Sequence, residues 1–407
     1  MDIGAVSQIK IANRKATLFA FQSGDTLSAS DVSRMAGLSH QTCSRAIEYF
    51  VEKGLLEKSG KGASSATGGR KPEQFFLSRN LYVLCINVES SVVLFHRFNL
   101  MSELAGDWQK DLSETNTQEE FWSTIKDGVD ALCPQENDLR QIVAVCLTIR
   151  GLVDQASGVL RSSIYFPTWE RNEPLRKNLG QLFPYTATIL IDKPVKVLSK
   201  SILNGPDETL KNKRVFVLYA QQGIAAGLID HSKVENGAHS LIGEIGHMVV
   251  HPNYDRPCSC GNHGCFEQLV SLDELRHQAQ QHTDAIKSTC LASSLDKLTY
   301  PMLFKASSSG DRLARLLCDY LADIFATVFK ATAVFFDPEV LVLIGNFAFG
   351  DDYFFSQFKK NLQKFKYLPN DYNLKIICEK RDIKNLLIDG TAKAIISDFF
   401  GNPGIYC

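Results

Sequence analysis

The stretch GEIGHMVVHPNYDRPCSCGNHGCFEQ, residues 243–268, decides how the rest of this 407-residue chain is read. It holds His247, Cys258, Cys260 and Cys265 in the spacing H-x10-C-x-C-x4-C. One imidazole and three thiolates make a closed tetrahedral set, which suits one structural zinc ion per chain and leaves no position for an activated water. Gly261 and Gly264 allow tight turns between the last two thiols. Zinc binding in finger peptides amounts to about 10–16 kcal/mol, enough to order a loop poor in core residues. His251 and His263 are rival ligands nearby, and His251 also reads as a surface residue. The alternative is three reduced cysteines that happen to be close, which the flanking glycines and the upstream His argue against.

The other cysteines support the metal reading. Of eleven in all, Cys85, Cys133, Cys146, Cys290, Cys318 and Cys378 stand singly among apolar neighbours, as small core residues do. One tight cluster within an odd total points to metal and away from a disulfide framework. With 44% hydrophobic and 22% charged residues the composition is that of globular domains, and the length suggests two or three of them. No apolar run approaches a membrane span. The N-terminus MDIGAVSQIK has no basic segment followed by an apolar core, so a cytoplasmic location is expected.

The net charge of −1 is unevenly spread. Residues 1–80 hold eleven Lys/Arg and seven Asp/Glu, a net of +4, which leaves −5 for the remainder. This excess permits nucleic-acid binding without proving it. Within the segment, residues 10–22 show helical spacing. Ser28, with Asp31 three residues on, can cap a short helix that ends at Gly37. Ser39 can cap a second helix whose apolar stripe is Ala46, Ile47, Phe50 and Val51. Two short helices around a Gly-containing turn form the helix-turn-helix pattern, or else a plain helical hairpin with a solvated face. On the first reading His40, Gln41, Ser44 and Arg45 lie on the polar side of the second helix, which would enter the major groove of a double-stranded operator. Gln41 and Arg45 have the donor geometry for adenine and guanine edges. The Gly/Ser-rich segment that follows carries Arg70 and Lys71, either as a basic wing along phosphates or as an inert linker.

From about Leu81 strands alternate with helices. Strand-like runs are Tyr82–Val88, Ile142–Thr148, Thr188–Ile191, Arg214–Ala220 and Glu339–Ile344, and Asp311–Thr332 has helical periodicity. The alternation predicts an α/β body with mixed sheets. No repeat of fixed period is visible.

E-I-G-H followed by C-x-C-G-x-x-G-C-x-E resembles the signature of the ROK (repressor, ORF, kinase) family. Gly151-Leu152-Val153-Asp154, Phe336-Asp337-Pro338-Glu339-Val340 and Leu343-Ile344-Gly345 fall in the family's order and approximate spacing. With the winged head in front, the likeness covers nearly the whole chain, which resembles the Mlc and NagC branch of sugar-gene repressors. It implies a winged helix-turn-helix at 1–80 and a two-lobed actin/hexokinase-like body. The first lobe would be 81–195, completed by about 385–407; the second, 196–384, would carry the zinc loop and the oligomerisation surface.

The family's kinases cradle phosphates on glycine-rich backbone. Where the resemblance places their first phosphate loop, this chain has Asn87-Val88-Glu89-Ser90-Ser91, without glycine and with a carboxylate. Where it places the second, the chain reads Gln221-Gln222-Gly223-Ile224-Ala225-Ala226-Gly227. The expectation is a non-enzyme in which Asp192, aligned with the kinase general base, is a remnant. The alternative is a sugar kinase with a regulatory DNA-binding head. By the same resemblance Asp192, Glu244, His247 and Glu267 face an effector, unless the two glutamates only brace the metal loop. The effector would be a sugar, or a sugar phosphate suiting Lys193; otherwise a sugar-transport (phosphotransferase) protein sets the state. A helix-turn-helix reads paired half-sites, so a dimer or tetramer is expected.

Overall fold

The computed structural model describes all residues except 1–4, 62–71, Ser90, 114–116, Gln222, Asn370 and Cys407. The chain forms two compact units, Met1–Val197 with Leu387–Cys407, and Leu198–Leu386.

The first unit begins with α1 (Ala5–Phe19), β1 (Leu27–Ser28), α2 (Ala29–Ala36), α3 (His40–Glu52), β2 (Leu56–Lys61) and β3 (Glu73–Leu77). Local chemistry sets these boundaries. The Ser28 hydroxyl accepts the Asp31 N–H while the Asp31 carboxylate accepts the Ser28 N–H, a reciprocal capping box. Gly37, at φ 66°, stops α2 in the left-handed conformation that glycine adopts without strain. Ser39 then caps α3 by accepting the Thr42 N–H at 3.2 Å. On α3, Cys43, Ala46, Ile47 and Phe50 are buried, whereas Val51, expected in the same stripe, is half-buried. The first helix starts earlier than the spacing of residues 10–22 predicts and ends at Phe19, where the chain turns through Ala20–Ser23. β3 runs antiparallel between β1 and β2.

A five-stranded sheet follows, built from β4 (Tyr82–Val88), β5 (Val92–Asn99), β6 (Leu104–Asp111), β7 (Ile142–Thr148) and, after the short hairpin β8 (Leu152–Asp154) and β9 (Val159–Ser162), β10 (Thr188–Asp192). Its order is β10-β7-β4-β5-β6, with β10, β7 and β4 parallel and β5 and β6 added antiparallel. The central strands are buried on both faces, which is why they read as continuous apolar runs. One face, through Leu84, Ile86, Val145 and Leu147, packs with Phe121, Ile125 and Val129 of the helix Gln118–Leu132. The other face, through Val83, Cys85 and Cys146, shares one core with Leu18, Phe21, Ile47 and Phe50 of the N-terminal helices and their turns. Ile395, Phe399 and Phe400 of the C-terminal helix Ile383–Gly401 complete that core.

The second unit carries β11 (Arg214–Ala220), β12 (Ile224–Asp230), β13 (Lys233–Val234), β14 (Val340–Gly345) and β15 (Lys375–Glu379) in the order β13-β12-β11-β14-β15. β11, β14 and β15 are parallel, and β12 and β13 are added antiparallel. In each unit, therefore, the first strand of the sheet is flanked by its own meander on one side and by two parallel crossover strands on the other. The fold contains an internal duplication that no fixed-period repeat announces. Helix Arg312–Phe335, capped by Asp311, packs Phe325 and Phe329 edge-on against Phe354 and Phe358 of helix Asp352–Gln363.

Candidate functional site

His247 ends a single helical turn, Ile245–His247, and Cys265 directly precedes the short helix Phe266–Leu269. Cys258 and Cys260 lie on the loop between them. The ligand atoms of these four residues all fall within 4.8 Å of one another. Cys260 Sγ is 3.7 Å from Cys265 Sγ, and Cys258 Sγ is 3.6 Å from His247 Nδ1. A tetrahedron with Zn–S bonds of ~2.3 Å has edges of about 3.8 Å, which these two separations match. Burial, followed by the neighbouring thiols, pushes Cys265 up to about 12. A cation among the three sulfurs would reverse that, since it favours thiolate.

The loop is folded by its backbone. Cys258 N–H donates to Asn262 O at 2.7 Å, and Gly261 N–H to Cys258 O at 2.9 Å. Gly264 sits at φ 64°, and a Cβ there would lie 1.9 Å from the His251 carbonyl oxygen. Of the three histidines in the stretch, His247 joins the thiols; His251 instead packs edge-on against Tyr254.

The Gly-Glu-Ile-Gly-His segment lies directly on β12. Ala226 N–H donates to Gly243 O at 2.7 Å, and a Cβ on Gly243 would be 1.9 Å from Ala226 O. A Cβ on Gly246 would be 2.4 Å from Ile224 O. The two glycines are thus required by close backbone approach. Glu267 closes the arrangement, its Oε2 accepting the Ile224 N–H at 2.6 Å. β11 and β12 pair antiparallel with Ala220 opposite Ile224, Leu218 opposite Ala226 and Val217 opposite Gly227. Ala225 and Gly227 are strand residues, and the Ala226 side chain is buried.

In the first unit Asp192 is fully buried at the C-terminal end of β10. Its carboxylate accepts the Lys193 N–H at 2.8 Å and the side-chain amide of Gln155. Across three parallel strands it is level with Thr148 and Asn87. Asn87 Nδ2 donates to Thr148 Oγ1 at 2.8 Å and to Thr391 Oγ1, on the C-terminal helix, at 2.9 Å. Asp192 belongs to one unit, and Glu244, His247 and Glu267 to the other.

On α3, His40, Gln41 and Arg45 are exposed and Ser44 is half-buried. Arg70 and Lys71 lie outside the described residues. Sequence reasoning missed Arg14, whose guanidinium carbon stands 3.3 Å from the centre of the Tyr49 ring and holds α1 against α3.

The family model for ROK matches residues 100–383. The chain belongs to the ROK family. This ROK chain is 23% identical over 353 residues to the DNA-binding transcriptional dual regulator NagC of Escherichia coli K12, covering 86% of the chain and 84% of NagC. It is 21% identical to the xylose repressor of Caldicellulosiruptor bescii, over 98% of the chain and 99% of that protein. A glucokinase of Thermotoga maritima is 26% identical over 215 residues, 52% of the chain and 66% of the kinase. Among solved structures, a ROK family transcriptional regulator described as a homolog of E. coli MLC superposes with a TM-score of 0.73 at 18% identity, covering 96% of this chain and 99% of that one. The body is therefore a mixed α/β ROK fold of the hexokinase/actin-like kind. Among the described residues no helix is long and apolar enough to cross a membrane.

Proposed function

We propose that this ROK protein is a DNA-binding repressor of carbohydrate-utilisation genes and not a kinase. The observation that carries the reading is α3: two capped helices meet at a glycine turn, and the second presents exposed His40, Gln41 and Arg45 ahead of a ROK body. In this reading α1–α3 with β1–β3 form a winged helix-turn-helix, α3 lies in the major groove, and Arg45 and Gln41 reach base edges. Ser44 and His40 contact the same groove, and Arg70 and Lys71 lie along phosphates. NagC and the xylose repressor match 86% and 98% of this chain, whereas glucokinases of Thermotoga maritima and Halalkalibacterium halodurans match 52% and 69% of it.

His247, Cys258, Cys260 and Cys265 hold one zinc ion. With four protein donors the ion is structural, and it fixes the loop that supplies Glu244 and Glu267. A sugar or sugar-phosphate effector is recognised by Glu244, His247 and Glu267 of the second unit, with Asp192 of the first unit as a separate candidate contact, and lowers operator affinity through its preference for one conformation. A sugar-transport protein is the other candidate for that role. The operator is read by a homo-oligomer, so paired half-sites are expected.

Selection of bound duplexes from random sequence tests the proposal. Enrichment of one motif in two half-sites, released by one member of a sugar and sugar-phosphate panel, supports it. No enrichment at low salt would overturn it. An ADP-release assay on hexoses and amino sugars addresses the kinase alternative, since turnover near one per second is ordinary for an enzyme.

A further inference from the structure

Glu89 and Arg150 stand just beyond the C-terminal ends of the adjacent parallel strands β4 and β7. Arg150 Nη2 donates to Glu89 Oε2 at 2.9 Å, with the Arg side chain 9% exposed and the Glu side chain 23%. Arg150 is held from several sides. Its guanidinium carbon lies 5.3 Å from the centre of the Tyr165 ring, and its carbonyl accepts the Ser163 hydroxyl at 2.9 Å. The next residue, Gly151, is at φ 134°, and a Cβ there would meet the Ser162 carbonyl oxygen at 2.7 Å. Glu89 is fixed in turn by its N–H, which donates to Val92 O at 2.9 Å in the β4–β5 connection.

The location gives the pair its meaning. In open α/β sheets, ligands bind in the crevice outside the carboxyl ends of parallel strands. Asp192 lies on that edge one strand further along, level with Thr148 of β7. A buried arginine with a fixed planar fork is the side chain suited to phosphate and carboxylate oxygens. Here the oxygens come from the chain itself.

We propose that Arg150 forms a phosphate-binding site that Glu89 occupies from within, so that polyphosphate is excluded by an internal carboxylate. The wild-type edge is then closed to phosphate although the basic group is in place. Removing Glu89 takes a carboxylate away from a largely buried guanidinium, which costs stability, and an external phosphate restores an anion there. The inference rests on the geometry of the first unit and is separate from the DNA-binding reading.

The test uses the full chain with inorganic pyrophosphate as probe, followed by calorimetric titration and thermal unfolding. The variants are Glu89→Ala, Glu89→Gln and the double variant Glu89→Ala/Arg150→Ala. Glu89→Ala is expected to bind pyrophosphate at least about tenfold more tightly than wild type, a difference of about 1.4 kcal/mol. Its Tm should fall below that of wild type and recover as pyrophosphate is added. Glu89→Gln, which keeps the shape and loses the charge, should change in the same direction and serves if the Ala variant does not fold. The double variant should lose the gain. Wild type binding as tightly as the Glu89 variants, no gain in either of them, or a gain that survives loss of Arg150 would each overturn the proposal. Operator affinity of the same proteins, measured in parallel, keeps this result distinct from the fate of the DNA-binding reading.

Discussion

Glu267 accepts the backbone N–H of Ile224 at 2.6 Å, joining the helix that follows the last metal-site cysteine to the start of β12. This one bond ties the segment after the candidate metal site to the β11–β12 hairpin. It also gives Glu267 a role that does not depend on an effector.

The bond can be tested by stability. Glu267→Ala leaves the Ile224 N–H without its acceptor and should cost roughly 1–3 kcal/mol. Glu267→Gln keeps an acceptor oxygen and should cost clearly less. Denaturant midpoints of the two variants, with unchanged slopes, check the ordering.

Metal content and stability should move together. Wild type is expected to hold about one zinc ion per chain, and Cys258→Ser to hold far less. Loss of even 2 kcal/mol lowers Tm by roughly 4–8 °C for a unit of this size, so chelator and Cys258→Ser should each lower it by at least that much. A chelator that strips the ion without moving Tm would contradict a structural role.

The capping box predicts a pH dependence. The Ser28 hydroxyl and N–H, aided by Arg34, hold the Asp31 carboxyl below its ordinary value against the opposing effect of burial. A lowered folded-state value means that the contribution is fully present above the ordinary carboxylate pKa of ~4 and is lost as pH falls through the folded value. Wild type should therefore lose more stability than Asp31→Asn on acidification from about pH 5 to pH 3. At neutral pH, Ser28→Ala should cost ~0.5–2 kcal/mol. Thermal unfolding across that range reads both.

The C-terminal helix should matter to the head. Phe399 is fully buried in the core that includes Leu18, Phe21 and Phe50. Phe399→Ala should cost roughly 3–5 kcal/mol and loosen the packing around α1 and α3. Hydrogen exchange of α3 amides should quicken in the variant, although residue 399 lies far from α3 in sequence.

What the sequence made legible was local. Ser28, Asp31, Gly37 and Ser39 carry their helix boundaries within a few residues, and His247 with the three cysteines carries its chemistry in its spacing. Strands β4, β7, β11 and β14 were readable because burial on both faces gives unbroken apolar runs, and β10, half-buried at Ile189 and Leu190, was readable from its apolar composition. β6 was not, because most of its residues are exposed and its composition is polar. The duplication of the two sheets stayed hidden because topology, not side-chain identity, is repeated. Long-range partners left no signal: Glu267 and Ile224 are 43 residues apart, and Glu89 and Arg150 are 61. Glu89 was legible as a charge unwelcome beside polyphosphate, but its neutralisation by Arg150 was not. Nothing near residue 400 indicates that Phe399 and Phe400 complete a core begun at Leu18.

The most direct measurement is fluorescence anisotropy of the selected duplex with wild type and Arg45→Ala at physiological salt. A side chain at a base edge contributes about 1–3 kcal/mol, so the variant should bind about 5- to 150-fold more weakly and discriminate less at one base position. Equal affinity and equal sequence preference for the two proteins would contradict the placement of α3 in the groove, and with it the reading of this chain as a repressor.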